Sequence, residues 1–277
     1  VAISLFAGGL DHPEGIAWSP NGWIACGGEA GQIYRIDLDT RQSQIIAHTG
    51  GFVLGIAFDG EDNLYACDTG RKAVLRIDTS TGEVVDLTGV AAAEVGEIQS
   101  PNFPVFHSDG RLFFSDSGNW GKRDGRILCM WPDGRVEVVS NQTPAFTNGL
   151  AIDPLQEYLY VVESENPQVS RLKLTPNGLG DVEAVVTLPR KVPDGLAFTS
   201  EGHLLIGCWR PDAVYILQGT DLVEIANDWT GEDLSGPANL AFIGPHLDRL
   251  VTSNLAGWHL AEIETTLVGA PLNYPRR

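Results

Sequence analysis

A pentapeptide recurs six times along the chain, and no other feature restricts the possible folds as much. Glu14-Gly15-Ile16-Ala17-Trp18 returns as Leu54-Gly55-Ile56-Ala57-Phe58, Asn102-Phe103-Pro104-Val105-Phe106, Asn148-Gly149-Leu150-Ala151-Ile152 and Asp194-Gly195-Leu196-Ala197-Phe198. Asn239-Leu240-Ala241-Phe242 is a shortened sixth copy. The copies lie roughly 45 residues apart and fill the 277-residue chain, a period typical of propellers and related arrays.

Each copy opens a series of short strands. Turn residues follow it, as in Ser19-Pro20-Asn21-Gly22, Asp59-Gly60 and Ser108-Asp109-Gly110, and these are hairpin signals. Apolar second strands come next, then alternating third strands such as Ile33 to Asp37 and Val74 to Asp78, then fourth strands such as Val136 to Val139 and Ala184 to Thr187. No helical period is sustained. The pattern predicts an all-β, six-bladed propeller with four antiparallel strands per blade, filling residues 1–277 as one domain. A blade with two apolar faces cannot bury both alone, so the ring has to close. The last repeat has no evident fourth strand before Pro271 and Pro275, whereas Ile3-Ser4-Leu5-Phe6 resembles one. The N-terminal strand is therefore expected to pair with Trp258 to Ile263 and close the ring.

Charge excludes several functions. The 36 acidic residues outnumber the 18 basic ones, a formal net charge of −18, which repels nucleic acid and anionic lipid surfaces. No apolar run is long enough to span a bilayer, and Val1 to Leu10 has no secretory pattern. A soluble, cytoplasmic protein is expected. Cys26, Cys67, Cys129 and Cys208 are widely spaced, which suggests buried free thiols rather than a zinc cluster or disulfide framework.

The first strand of each propeller blade lines the axis, so the six opening residues should form one ring. They are Glu14, Leu54, Asn102, Asn148, Asp194 and Asn239. Any one of the polar residues taken alone reads as a turn former. Together they bring two carboxylates into a narrow channel, which is costly unless the charge is neutralised. An all-oxygen donor set points to a hard divalent cation, Ca²⁺ or Mg²⁺, with Mn²⁺ or Zn²⁺ as further options.

The order Glu, Asn, Asn, Asp resembles the regucalcin and gluconolactonase family of six-bladed propellers, grouped at times with the diisopropylfluorophosphatases. The resemblance lies in His12-Pro13-Glu14-Gly15-Ile16, Ser100-Pro101-Asn102, Thr147-Asn148-Gly149-Leu150-Ala151 and Pro193-Asp194-Gly195-Leu196-Ala197. It implies that Glu14, Asn148 and Asp194 hold one divalent cation, Ca²⁺ by preference. Asn102 would be an additional ligand or a substrate contact, and Asp194 would also act as general base. It also implies a lactone-opening hydrolase acting on a small-molecule lactone or ester. Many sugar-lactonase members carry Arg two residues before the third-blade Asn, where this chain has Ser100. A less polar cyclic ester is therefore admissible beside a sugar-acid lactone.

Four more residues are candidates for the substrate mouth: His12, Trp120, Trp209 and Trp258. His107, His203 and His246 fall near hairpin turns of the opposite surface. The long segments Leu87 to Ser100 and Ser117 to Gly121 are where a rigid scaffold would carry specificity. Two alternatives use the same ring: a phosphotriesterase in which Asp194 attacks phosphorus, and a non-catalytic binding propeller with the ion holding the blades together.

Overall fold

Strands that alternate apolar residues on both faces have to stack, and this chain does so six times. The computed structural model describes residues 1–89 and 92–276 and contains six four-stranded antiparallel sheets. The first complete blade shows the plan: Ile16–Trp18 is innermost, followed outward by Ile24–Gly27, Gln32–Ile36 and Ser43–His48. The innermost strands of the next five blades are Val53–Phe58, Pro101–Phe106, Thr147–Ile152, Val192–Phe198 and Leu240–Ile243.

The hydrophobic core is divided among the interfaces between blades. Trp23, Ala25 and Ile33 of the first blade pack with Ile56, Leu64 and Leu75 of the second, and four similar clusters join the following blades. A sixth cluster sets Phe6, Val251 and Leu260 against Ile24, Tyr34 and Ile36, so the last blade packs on the first. Each fully buried Leu or Ile in these layers contributes about 1.5–3 kcal/mol.

Both ends of the chain are tied into this ring. Ile3–Gly8 pairs antiparallel with His259–Ile263, Ile3 lying opposite Ile263 and Gly8 opposite His259. The first strand is thus the outermost strand of the blade built from the last three. The partner strand begins one residue later than expected, at His259, and the outer strand of the fourth blade reaches back to Gly178. Beyond the last blade the C-terminal segment crosses the end of the channel. Ala270 donates its N–H to the Phe198 carbonyl, Asn273 its amide to the Phe106 carbonyl, and Tyr274 its hydroxyl to the Trp18 carbonyl at 2.6 Å. Gly60 N–H donates to the Pro275 carbonyl at 2.8 Å. The segment therefore caps backbone carbonyls at the ends of innermost strands from three blades and touches a fourth. A mostly apolar cavity of about 180 Å³ lies between it and those strands, lined by Trp18, Phe58, Phe106, Phe198 and Phe242.

In the long segment from Leu87 to Ser100, residues 90 and 91 lie outside the described residues. Ala92–Val95 forms one helical turn there.

Candidate functional site

Glu14, Asn102, Asn148, Asp194 and Asn239 are all buried at the start of their innermost strands, at the end of the channel opposite the C-terminal segment. Side chains of a regular strand would alternate between the two neighbouring blades. A bulge changes their aim. In the second to fifth blades the pairing slips by one residue at the ring position: Thr147 faces Glu163 but Leu150 faces Val161, leaving Asn148 and Gly149 opposite a single residue. The same slip occurs at Leu54, Asn102 and Asp194.

The glycine after the ring residue lets adjacent blades approach closely. A Cβ on Gly149 would lie 2.1 Å from the Asp194 carbonyl oxygen, and one on Gly15 would lie 2.1 Å from the Leu54 carbonyl oxygen. The ring is narrow because these positions carry no side chain.

Crowding of this kind has a large electrostatic effect. Burial, and then the charge of Asp194, push the Glu14 carboxyl well above its usual 4.5. Burial pushes Asp194 up to about 7, partly opposed by the neighbouring Asn148 amide. Two acids from the first and fifth blades thus share one site, and no basic group among the described residues compensates either charge.

The ring oxygens are equally uncompensated. Asn102 Oδ1, Asn148 Oδ1, Asp194 Oδ1 and Asn239 Oδ1 are buried without a hydrogen-bond partner. Most buried polar atoms in folded proteins are paired, so four orphaned oxygens in one ring call for an electrophile. The orientation of Asn148 is held from behind, because its Nδ2 donates to Ser164 Oγ at 3.1 Å and Ser164 Oγ donates to the Pro193 carbonyl at 2.7 Å. Two carboxylates and three amide oxygens, with no thiolate or imidazole among them, fit a hard divalent cation.

The mouth residues are a mixed set. His12 stands beside Trp258, ring centroids 4.2 Å apart, and Trp120 meets Phe146 edge-on at 5.0 Å. Trp120 and Trp258, in loops, and Trp209, near the end of the strand Leu204–Arg210, are exposed at this end of the channel. Trp229, in the loop entering the sixth blade, is exposed there too and was not singled out in the sequence. Ser100 Oγ is paired with Thr69 Oγ1 at 2.9 Å. His12 Nδ1 lies 3.1 Å from Asp11 and 3.0 Å from Glu29, a cluster that could also be read as a cation site. Asp11 is already engaged by the Gln32 amide and the Ala30 N–H, and Gln32 is the main cause of its lowered pKa. The cluster is a hydrogen-bonded loop, unlike the ring with its unpaired oxygens.

A second set of acids went unnoticed in the sequence. Asp68, Asp116 and Glu163 end the second strands of three successive blades and accept backbone N–H groups from the loops leading into the ring. Phe52 donates to Asp68, Ser100 to Asp116 and Ala145 to Glu163. They hold the loops that carry Leu54, Asn102 and Asn148. Their common repeat phase was the signal that could have revealed them.

Comparison with known proteins gives the family and the fold. A model described as the SMP-30/Gluconolactonase/LRE-like region matches residues 12–254, and the chain belongs to that family. A gluconolactonase from Xanthomonas campestris superposes with a TM-score of 0.80 at 19% identity, covering 96% of this chain and 89% of the other. A calcium-binding regucalcin from Agrobacterium tumefaciens gives 0.79 at 19% identity, covering 98% of each chain. These likenesses establish the fold. In sequence, the strictosidine synthase-like 6 protein of Arabidopsis thaliana is 27% identical over 71% of this chain and 56% of its own. Lactonase drp35 of Staphylococcus haemolyticus is 20% identical over 67% of this chain and 59% of its own. The matches thus span little more than half of either relative. No helix among the described residues is long and apolar enough to cross a membrane.

Proposed function

We propose that the protein is a divalent-cation-dependent hydrolase that opens a lactone or a related cyclic ester, with Glu14, Asn148 and Asp194 holding the ion and Asn102 beside it. The observation that carries this reading is the set of buried, unpartnered amide oxygens at the same repeat position as two carboxylates of raised pKa. Family membership and a lactonase among the relatives support it. Calcium is the favoured ion, in keeping with the all-oxygen donors.

A divalent cation in such a ring polarises a carbonyl oxygen and acidifies water. The chain supplies the rest. Asp194 is the general base: attack by water on the ester carbonyl releases a proton, and its carboxylate accepts it. Glu14 adds the second negative charge that retains the ion, and Ser164 keeps the Asn148 oxygen turned toward it. The aromatic mouth and Ser100 favour a substrate with an apolar portion over a densely hydroxylated sugar acid.

The test is a panel of sugar, alkyl and aryl lactones assayed with Ca²⁺, Mg²⁺, Mn²⁺ and Zn²⁺. A chelator should abolish turnover, and Asp194→Ala should remove it while the protein stays folded. Full turnover in either case defeats the proposal. Single turnover in ¹⁸O-labelled water tests the base assignment, because direct attack by Asp194 forms a covalent intermediate whose hydrolysis at the Asp194 carbonyl carbon leaves the label in that carboxylate, whereas base catalysis puts it in the product alone.

A further inference from the structure

We propose that Asn239 is an additional oxygen donor of the cation site, contributed by the sixth blade. The proposal rests on the reading of the ring as a cation site and extends it to a residue outside the Glu, Asn, Asn, Asp set.

Asn239 is only 1% exposed, and neither its Oδ1 nor its Nδ2 has a hydrogen-bond partner. Its backbone does not need the side chain, since Asn239 N–H donates to Ser253 Oγ and its carbonyl accepts from Ser253 N–H, both at 3.0 Å. A turn-capping amide would be donating to a nearby carbonyl or accepting from an N–H, and this one does neither. A residue kept for packing alone would be better as Leu, which has similar volume and no polar atoms to desolvate.

Its position indicates what the amide serves. Around the ring the sixth blade lies between the fifth, which carries Asp194, and the first, which carries Glu14. Asn239 is therefore flanked by the two carboxylates. Its Oδ1 lies against Gly195, where an added Cβ would come within 2.5 Å of it. The only apolar ring position, Leu54, is flanked by Glu14 and Asn102 on the opposite side. The donors thus form one continuous arc through blades three, four, five, six and one, with the gap at blade two. A cation that takes six to eight oxygens would use the amide oxygen and leave fewer positions for water.

Two readouts independent of turnover test this: calcium affinity by calorimetry, and the number of inner-sphere waters from europium(III) luminescence lifetimes in H₂O and D₂O. In Asn239→Ala, calcium affinity should fall by about tenfold or more and the water count should rise by about one. Asn239→Asp keeps an oxygen and should bind at least as tightly as wild type. Asn239→Leu should melt, without metal, no lower than wild type, because it removes an unpaired buried amide. Unchanged affinity and water count in Asn239→Ala overturn the proposal while leaving the cation site intact. A lower metal-free melting temperature for Asn239→Leu with unchanged affinity also overturns it, by assigning the amide to structure. Failure of wild type to bind either ion overturns both this proposal and the functional reading beneath it.

Discussion

Glu14 of the first blade and Asp194 of the fifth stand close enough that the charge on Asp194 adds to burial in raising the Glu14 pKa. Both acids therefore hold protons more tightly in the folded chain than in the unfolded one. Without an ion, the stability they contribute is complete below the unfolded carboxylate pKa, near 4, and is lost as the pH rises toward the folded value of Asp194, about 7. The metal-free melting temperature should thus decline between pH 4 and 7 more steeply than that of Asp194→Asn. Calcium affinity should rise over the same range, since binding needs both carboxylates ionised. Identical pH slopes for the two proteins would show that the pair is not coupled to folding.

Ser164 acts on the site without belonging to the ring. It accepts from Asn148 Nδ2 and donates to the Pro193 carbonyl, next to Asp194. In Ser164→Ala the Asn148 amide loses the contact that holds it from behind, and its oxygen is less firmly aimed into the ring. Stability should fall by about 1–3 kcal/mol and calcium affinity by roughly tenfold or more. Calorimetry on the folded variant decides the matter, because a purely structural serine would alter melting and leave affinity unchanged.

Gly149 tests how the ring is kept narrow. An alanine methyl there would press on the Asp194 carbonyl from 2.1 Å, and backbone cannot swing aside as a flexible side chain can. Gly149→Ala should destabilise by about 1–3 kcal/mol or more and weaken calcium binding. Gly8→Ala is the comparison: its nearest neighbour would be Leu5 Cδ1 at 3.9 Å, so melting should change little. Equal behaviour of the two variants would mean that the blades relax freely at the ring.

The repeat made the architecture legible because all six copies answer to one requirement, an innermost strand buried between neighbours. Residues at one phase, Glu14 through Asn239, could be placed in a common ring on that ground alone. The bulges could not be read so directly. An Asn-Gly or Asp-Gly step at the head of an apolar strand looks like turn chemistry, and only the pairing of Thr147 with Glu163 and Leu150 with Val161 reveals the slipped register. Asp68, Asp116 and Glu163 escaped notice because acids at strand ends usually face water; here they bind backbone N–H groups of the preceding loop. The C-terminal segment was invisible for a similar reason. Pro271 and Pro275 rule out regular strand pairing, but nothing local announces contacts with Trp18, Phe106 and Phe198, which are distant in sequence.

That segment and the N-terminal strand fasten the ring in different ways, and truncation should separate them. Ile3–Gly8 supplies the outer strand of the last blade, with Phe6 and Ala7 buried in the cluster joining that blade to the first. Deleting residues 1–7 removes both a strand ladder and core side chains. It should lower the melting temperature of the whole molecule in one cooperative transition. Residues 270–276 form no blade strand, and their contacts cap innermost-strand carbonyls at the channel end farthest from Asp194. Their removal exposes the cavity lined by Phe106 and Phe198 and should cost stability while leaving calcium affinity unchanged. The single change Tyr274→Phe keeps the ring packing and leaves the Trp18 carbonyl without its donor, for a loss of about 1 kcal/mol. Melting curves with parallel calcium titrations would distinguish these outcomes; local fraying without a fall in global stability on deletion of residues 1–7 would mean that the first strand is not needed to hold the ring together.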